Sequence, residues 1–180
     1  LAYSSHSSFD SLKSSVWCTL NILRNGGVDL RPPTARMLFA GLTRHLRKEE
    51  TPLTQDVIFC LAFLVDDRNY QGNTLDWHDM IDVFLDDVSL LDSIIAFLRP
   101  GSILASPTLR LLGNIITGTD DQTTKLISRA HFLSLLTECL QFPDPTVQRE
   151  SAWILSNIAA GPPMHIDMIT KASTVIFYTI

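Results

Sequence analysis

Trp153 and Asn157 stand four residues apart in the apolar stretch 149–161, and the same register recurs three times upstream. Trp17, Phe59, Arg110 and Trp153 are equivalent, and four residues after each come Asn21, Phe63, Asn114 and Asn157. The pair offers an amide that can donate and accept at once, set beside a large aromatic face. Neither residue is an acid, a base or a nucleophile. Whatever these positions do is therefore contact chemistry, and one such pair alone could equally be ordinary packing.

The other reactive residue types do not converge. Asp76, His78, Asp79 and Asp82 could be written as metal ligands, but helical spacing spreads them around the axis, and the calcium-loop pattern with its central glycine is missing. His6, His45, His131 and His165 fall in different copies of the repeat with no cysteine or carboxylate motif beside them. The serine-rich start, 3–8, holds no nucleophile elbow, there is no phosphate-cradling glycine loop, and Gly26-Gly27 reads as a helix stop. Cys18 and Cys60 each follow a ladder position, which points to equivalent packing sites, while Cys139 lies in a separate apolar helix. Three unclustered thiols fit a reducing compartment and argue against zinc. No catalytic residue, metal site or cofactor is expected, and the chain is not read as an enzyme.

These residues must be held by helices. With about 100° per residue, the apolar positions one before and two, five and six after the Trp position form a band opposite it, whereas the Asn position lies only about 40° away. Trp and Asn then share the face turned from the core. The buried band should be Leu109, Leu112, Ile115 and Ile116 in the third copy, and Ala152, Leu155, Ile158 and Ala159 in the last. Repeated placement of a bulky aromatic off the core suggests a ladder of side chains along the inner surface of a superhelix.

The remaining elements follow from helix starts and stops. Pro32-Pro33 opens an apolar helix that ends in the charged run 44–50, and Pro52 stands near the start of the helix carrying Phe59. Residues 74–87 and 90–98 read as two helices before the break at Arg99-Pro100-Gly101, and 122–128 and 132–140 repeat that arrangement. No stretch alternates with period two. The ladder spacings are 42, 51 and 43 residues, which brings the chain to the helical repeats of armadillo or HEAT arrays, where each unit completes its core on its neighbour. The expectation is an all-α, right-handed superhelical armadillo solenoid forming a single array over 1–180. Its repeats fall at about 1–27 (partial), 28–70, 71–120, 121–163 and 164–180 (partial). The 51-residue interval places an insertion around 69–88, expected on the surface outside the groove.

Bulk properties limit the partners. Of 180 residues 46% are hydrophobic, yet no apolar run approaches the roughly 18 needed to span a membrane. The formal charge of −5 disfavours nucleic acid, which rests on clustered Lys and Arg. Between Arg68 and Arg99 there is no basic residue, while Asp76, Asp79, Asp82, Asp86, Asp87 and Asp92 all fall there, either as a solvated face or as a docking patch for a basic protein. The apolar run at 175–180 gives no polar cap, as in a piece of a longer array.

The ladder residues, together with 109–123 and 150–161, carry a resemblance to the importin alpha family of armadillo-repeat nuclear import adaptors. The succession Arg110/Asn114, Thr117-Gly118-Thr119-Asp120 and Trp153/Asn157 is the specific part; the rest is similar more weakly. The resemblance implies four copies matching the fourth to seventh of ten repeats, from the end of a major site for basic nuclear localisation signals to the start of a minor one. It gives Trp17, Asn21, Asp56 and Phe59 to the major half. Arg110 resembles the family arginine that separates the sites, and Asn114, Thr117, Gly118, Asp120, Glu150, Trp153 and Asn157 go to the minor half. In such proteins the asparagines grip the peptide backbone and the tryptophans form slots for lysine stems. A lysine over an indole gains about 0.5–2 kcal/mol, so several slots must act together.

The resemblance further implies a partner, importin beta, engaged through a basic arm that these residues do not include, and residence in cytoplasm and nucleus. Phe59 and Phe63 stand where the family has Trp and Tyr, and Ser14 where it has Asn, so the minor half is expected to bind better. The alternative is a divergent armadillo scaffold without signal binding.

Overall fold

The computed structural model describes the backbone of residues 2–25, 28–46 and 49–177, and side chains within 9–172 of those. The Gly26-Gly27 stop, part of the charged run 44–50, the side chains of 3–8 and those of the apolar end at 175–180 lie outside them. Among the described residues ten α-helices follow one another: α1 (Ala2–Arg24), α2 (Pro32–Thr43), α3 (Pro52–Leu64), α4 (Thr74–Asp86), α5 (Val88–Ile95), α6 (Ala105–Ile116), α7 (Asp120–Ile127), α8 (Phe132–Gln141), α9 (Pro145–Ala159) and α10 (Pro163–Phe177). Among the described residues there is no strand and no helix long and apolar enough to cross a membrane.

Local chemistry sets the ends. Pro32, Pro52 and Pro145 occupy first helical positions, where a missing N–H costs nothing. The Asp144 carboxylate accepts from the Thr146 and Val147 amides to open α9. Thr119 and Gln122 cap α7 reciprocally.

The ladder-bearing helices α1, α3, α6 and α9 stack side by side in that order; α2, α7 and α8 back α3, α6 and α9, and α4 packs in turn on α2, α5 and α7. In α6, flanked by α3 and α9, Leu109, Leu112, Ile115 and Ile116 are all buried as expected. In α9 the expected band is displaced: Ala152 and Ala159 are exposed and Leu155 half-buried, while Val147, Ser151, Ile154 and Ile158 are buried. The positions one after and two before the ladder residue face the preceding ladder helix, so α6 covers them. Those two and six after it face the following side, where no described ladder helix lies against α9. Cys18 and Cys60 part for the same reason: α1 covers Cys60, whose thiol donates to the Val16 carbonyl at 3.6 Å, whereas Cys18 is exposed.

The long interval is also not a surface insertion. Tyr70, Trp77, Met80, Ile81 and Phe84 within 69–88 are buried. The Tyr70 hydroxyl donates to the Leu64 carbonyl at 2.6 Å, the Trp77 indole to Val65 at 2.8 Å, and the Asn69 amide to Leu23 and Phe63 at 3.1 and 2.8 Å. This segment satisfies the carbonyls left open at the end of α3. The extra length is divided between it and the loop 96–104. The aspartates nearby are largely committed too: Asp82 and Asp86 face Lys125, Asp92 pairs with Arg129 at 2.7 Å, and Asp87 caps α5.

Candidate functional site

Stacking α1, α3 and α6 brings five of the expected residues into one cleft of about 630 Å3, lined by Trp17, Asn21, Asp56, Phe59 and Arg110 together with Phe63. Trp17 is 63% exposed, so its indole is offered to the surface and contributes little to the core. Asn21 turns its amide N–H onto the Trp17 carbonyl of its own helix at 2.9 Å. Asp56 also lines a smaller recess with Trp17, Ser14 and Lys13. Burial pushes its carboxyl above the ordinary 3.8. The same burial, reinforced by the Asp56 charge, pushes the Cys60 thiol up to about 12, which leaves it an inert packing group.

A second cleft of about 270 Å3, between α6, α7, α9 and α10, collects Thr117, Gly118, Asp120 and Asn157 with His165. The Asn157 amide nitrogen and His165 Nδ1 are buried there without a hydrogen-bond partner. His165 takes the place in its repeat that Gln122 takes one repeat earlier, four residues after a glycine. Gln122 Oε1 accepts from the Thr119 amide, but the corresponding residue beside His165 is Pro162, which has no N–H to give.

Three expected minor-half residues are occupied otherwise. Asn114 is buried, and its amide donates to the Ala62 carbonyl at 2.9 Å, tying α6 to α3. Glu150 is 6% exposed, its carboxylate held by the Arg110 guanidinium at 2.9 Å with Arg149 at 3.8 Å. Trp153 is half-buried, its ring laid on Gly113, where any Cβ would overlap it, and Arg110 sits 5.9 Å from the ring centroid. Residue types and geometry therefore point to different halves. Residue types favour Trp153 and its neighbours, whereas the open aromatic face with an acid beside it is at Trp17.

Among the cleft residues that sequence reasoning missed are Leu20, Gln55 and two cations, Arg24 and Arg68. Arg24 was legible, since it lies seven residues after Trp17 and hence on the same helix face. Arg68 was not. It reaches the cleft from the turn after α3, anchored by two bonds of 2.9 and 2.6 Å to the Asp66 carboxylate. Burial raises the Asp66 carboxyl, and the hydrogen bonds and charge of Arg68 more than offset this, so it is held below its ordinary value.

With this geometry in hand, comparison places the chain among known proteins. The armadillo/beta-catenin-like repeat family matches residues 119–160. Importin subunit alpha-1a of Oryza sativa subsp. japonica is 25% identical over 170 residues, which is 94% of this chain and 30% of that protein. Importin subunit alpha-2 of Caenorhabditis elegans is 24% identical over 145 residues, 81% of this chain and 25% of its own length. A second rice protein, importin subunit alpha-2, reaches 38% over 71 residues, 37% of this chain and 13% of that protein. The chain therefore spans less than a third of the curated relatives it matches. Among solved structures, a designed armadillo repeat protein in complex with the peptide (KR)4 superposes with a TM-score of 0.67 at 20% identity, over 88% of this chain and 62% of that one. An engineered protein gives 0.68 at 21%, over 89% and 61%. The chain has the all-α armadillo solenoid fold and is similar to importin alpha proteins over most of its length.

Proposed function

We propose that this array is a peptide-binding adaptor for basic nuclear localisation signals, acting between cytoplasm and nucleus as importin alpha does, with the Trp17 cleft as its principal site. The observation that carries the reading is the exposed indole of Trp17 beside Asp56 and Asn21 in one cleft. A lysine stem can lie on the indole with its ammonium toward the Asp56 carboxylate. Asn21 can leave its intrahelical bond to hold the peptide backbone. The importin alpha relatives and the likeness to a designed array bound to (KR)4 support this reading. Recruitment of importin beta belongs to the same proposal, through a segment outside these residues.

The test is a titration of a fluorescent lysine-rich peptide by anisotropy, with an all-glutamine peptide as control. Micromolar or tighter binding that weakens with salt is expected, and Trp17→Ala should weaken it about twofold to thirtyfold while leaving helix content unchanged. Absence of binding by the folded array would favour the second reading, a scaffold without signal binding. The commitment of Arg110 and Glu150 to each other speaks for that reading.

A further inference from the structure

The second cleft, between α6, α7, α9 and α10, has a histidine in its wall where the preceding repeat has a glutamine. Gln122 and His165 each stand four residues after a glycine and three after the residue that precedes their helix. Their polar atoms reach equivalent spots: a Cβ on Gly118 would overlap Gln122 Oε1, and one on Gly161 would overlap His165 Nδ1. There Gln122 accepts from the Thr119 amide at 3.0 Å, whereas Pro162 has no N–H to offer His165. His165 is 0% exposed, and its Nε2 meets the Thr124 hydroxyl at 2.7 Å. That hydroxyl has one proton and gives it to the Asp120 carbonyl, also at 2.7 Å. Nε2 therefore carries a hydrogen and donates it to Thr124. Nδ1 is left as a bare lone pair, buried and without a hydrogen-bond partner.

We propose that His165 is a proton sensor in this wall: a proton taken up on Nδ1 loosens the first turn of α10 and turns the cleft against basic ligands. The part concerning ligands rests on the peptide-binding reading; the part concerning α10 does not. Histidine exchanges its proton between about pH 5 and 8. Once protonated, Nδ1 becomes a donor with no acceptor among the described residues, and a buried charge needs a partner or water. Moving the first turn of α10 away from α7 admits that water. The helices packed against α10 are α7, α8 and α9. They carry Asp120, Asp121 and Lys125, then Glu138 and Cys139, then Arg149 and Glu150, while α10 itself carries Asp167 and Lys171. Of these Asp120 alone lines the cleft. Its carboxylate is the group that a ligand ammonium would meet there, and an imidazolium in the same cleft offsets that attraction.

The experiment uses the full chain with its histidines labelled by 15N. At about pH 7.5 the His165 ring is expected to show a protonated Nε2 and a bare Nδ1, and at about pH 5.5 both nitrogens protonated. Over the same change the amides of 167–169, which bond back to the first turn of α10, should lose protection from hydrogen exchange about fivefold more than those of α6. His165→Gln should remove this response. Pro162→Ala keeps the histidine and gives Nδ1 an N–H to accept from, so it should suppress most of the response, which a histidine that merely fills space would not allow. A protonated Nδ1 at the higher pH overturns the proposal, as does an equal loss of protection in either variant. Binding is read by anisotropy on the same samples with a peptide bearing two lysine clusters. The parent should lose about threefold to tenfold more affinity on acidification than His165→Gln, since Asp56 is common to both. Equal losses reject the part concerning ligands. If no lysine-rich peptide binds at the higher pH, the adaptor reading falls, and the exchange result alone upholds or overturns the sensor.

Discussion

Trp17 and Trp153 hold equivalent places in the repeat, yet the fold uses them in opposite ways. Trp17 leaves 63% of its surface open over a cleft, while Trp153 is laid on Gly113 with Arg110 beside it. The asparagines and acids that accompany them differ likewise. Asn21 bonds only within its own helix, whereas Asn114 stitches α6 to α3. Asp56 is partly open, whereas Glu150 is buried under two arginines. A repeated residue type thus states which face a side chain starts from. What happens on that face depends on what stands across from it in the neighbouring helix: a glycine opposite a tryptophan draws the ring inward, and an arginine opposite a glutamate closes the acid off.

The comparison breaks most readily on stability. Trp153→Ala should cost about 2–3 kcal/mol in urea or thermal unfolding, less than a fully buried aromatic because the ring is only half covered. Trp17→Ala should stay within about 0.5 kcal/mol of the parent. Equal losses in the two variants would show that the two tryptophans share one role. Gly113→Ala tests the same contact from beneath. Its new Cβ meets the Trp153 ring and lies 3.2 Å from Ile154, so about 1–3 kcal/mol should be lost. Retained stability would mean that the ring can lift off freely.

The outline of this fold was legible because helix ends have local causes. Pro32, Pro52 and Pro145 mark three starts, and the 3.6-residue pattern gives the buried band of α6 without error. The displaced band of α9 was not legible, since periodicity describes a helix with both flanks covered. The segment 69–88 misled for a related reason. A longer spacing reads as an addition, whereas Tyr70, Trp77 and Asn69 use the extra length to cap α3. At the site, the ladder spacing picked out Trp17, Asn21, Phe59 and Arg110, and the family resemblance Asp56, all of which line one cleft. Residue types alone cannot tell a free carboxylate from a paired one, so Glu150 and Asn114 were assigned to a groove from which their partners withdraw them.

The boundary between the halves comes next in size. Arg110→Ala leaves Glu150 buried with only the more distant Arg149, while Arg110→Ala combined with Glu150→Gln removes the charge as well. A double-mutant cycle should give a coupling of about 1–2 kcal/mol, discounted because the arginine is partly exposed. A coupling near zero would return Glu150 to the groove as an acid available to a ligand, and the two halves would then differ less than their geometry indicates.

The smallest effect separates binding from stability at a single residue, Asp56. Its carboxyl lies above the ordinary 3.8 because burial disfavours the charged form, so on acidification it takes a proton before an exposed aspartate does. A peptide ammonium is attracted only by the carboxylate. Affinity for a lysine-rich peptide should therefore fall a few-fold as pH drops through the raised carboxyl range. Folding responds with the opposite sign. A carboxyl raised in the folded state destabilises that state while ionised, at pH above its folded value, and this cost disappears as the group protonates. Asp56→Asn should flatten the acid limb of the binding curve and slightly raise stability at neutral pH, read by anisotropy and by urea midpoint on the same samples. Binding and stability that instead declined together on acidification, with Asp56→Asn changing neither, would place the acid sensitivity elsewhere in the array and leave the indole of Trp17 without its carboxylate.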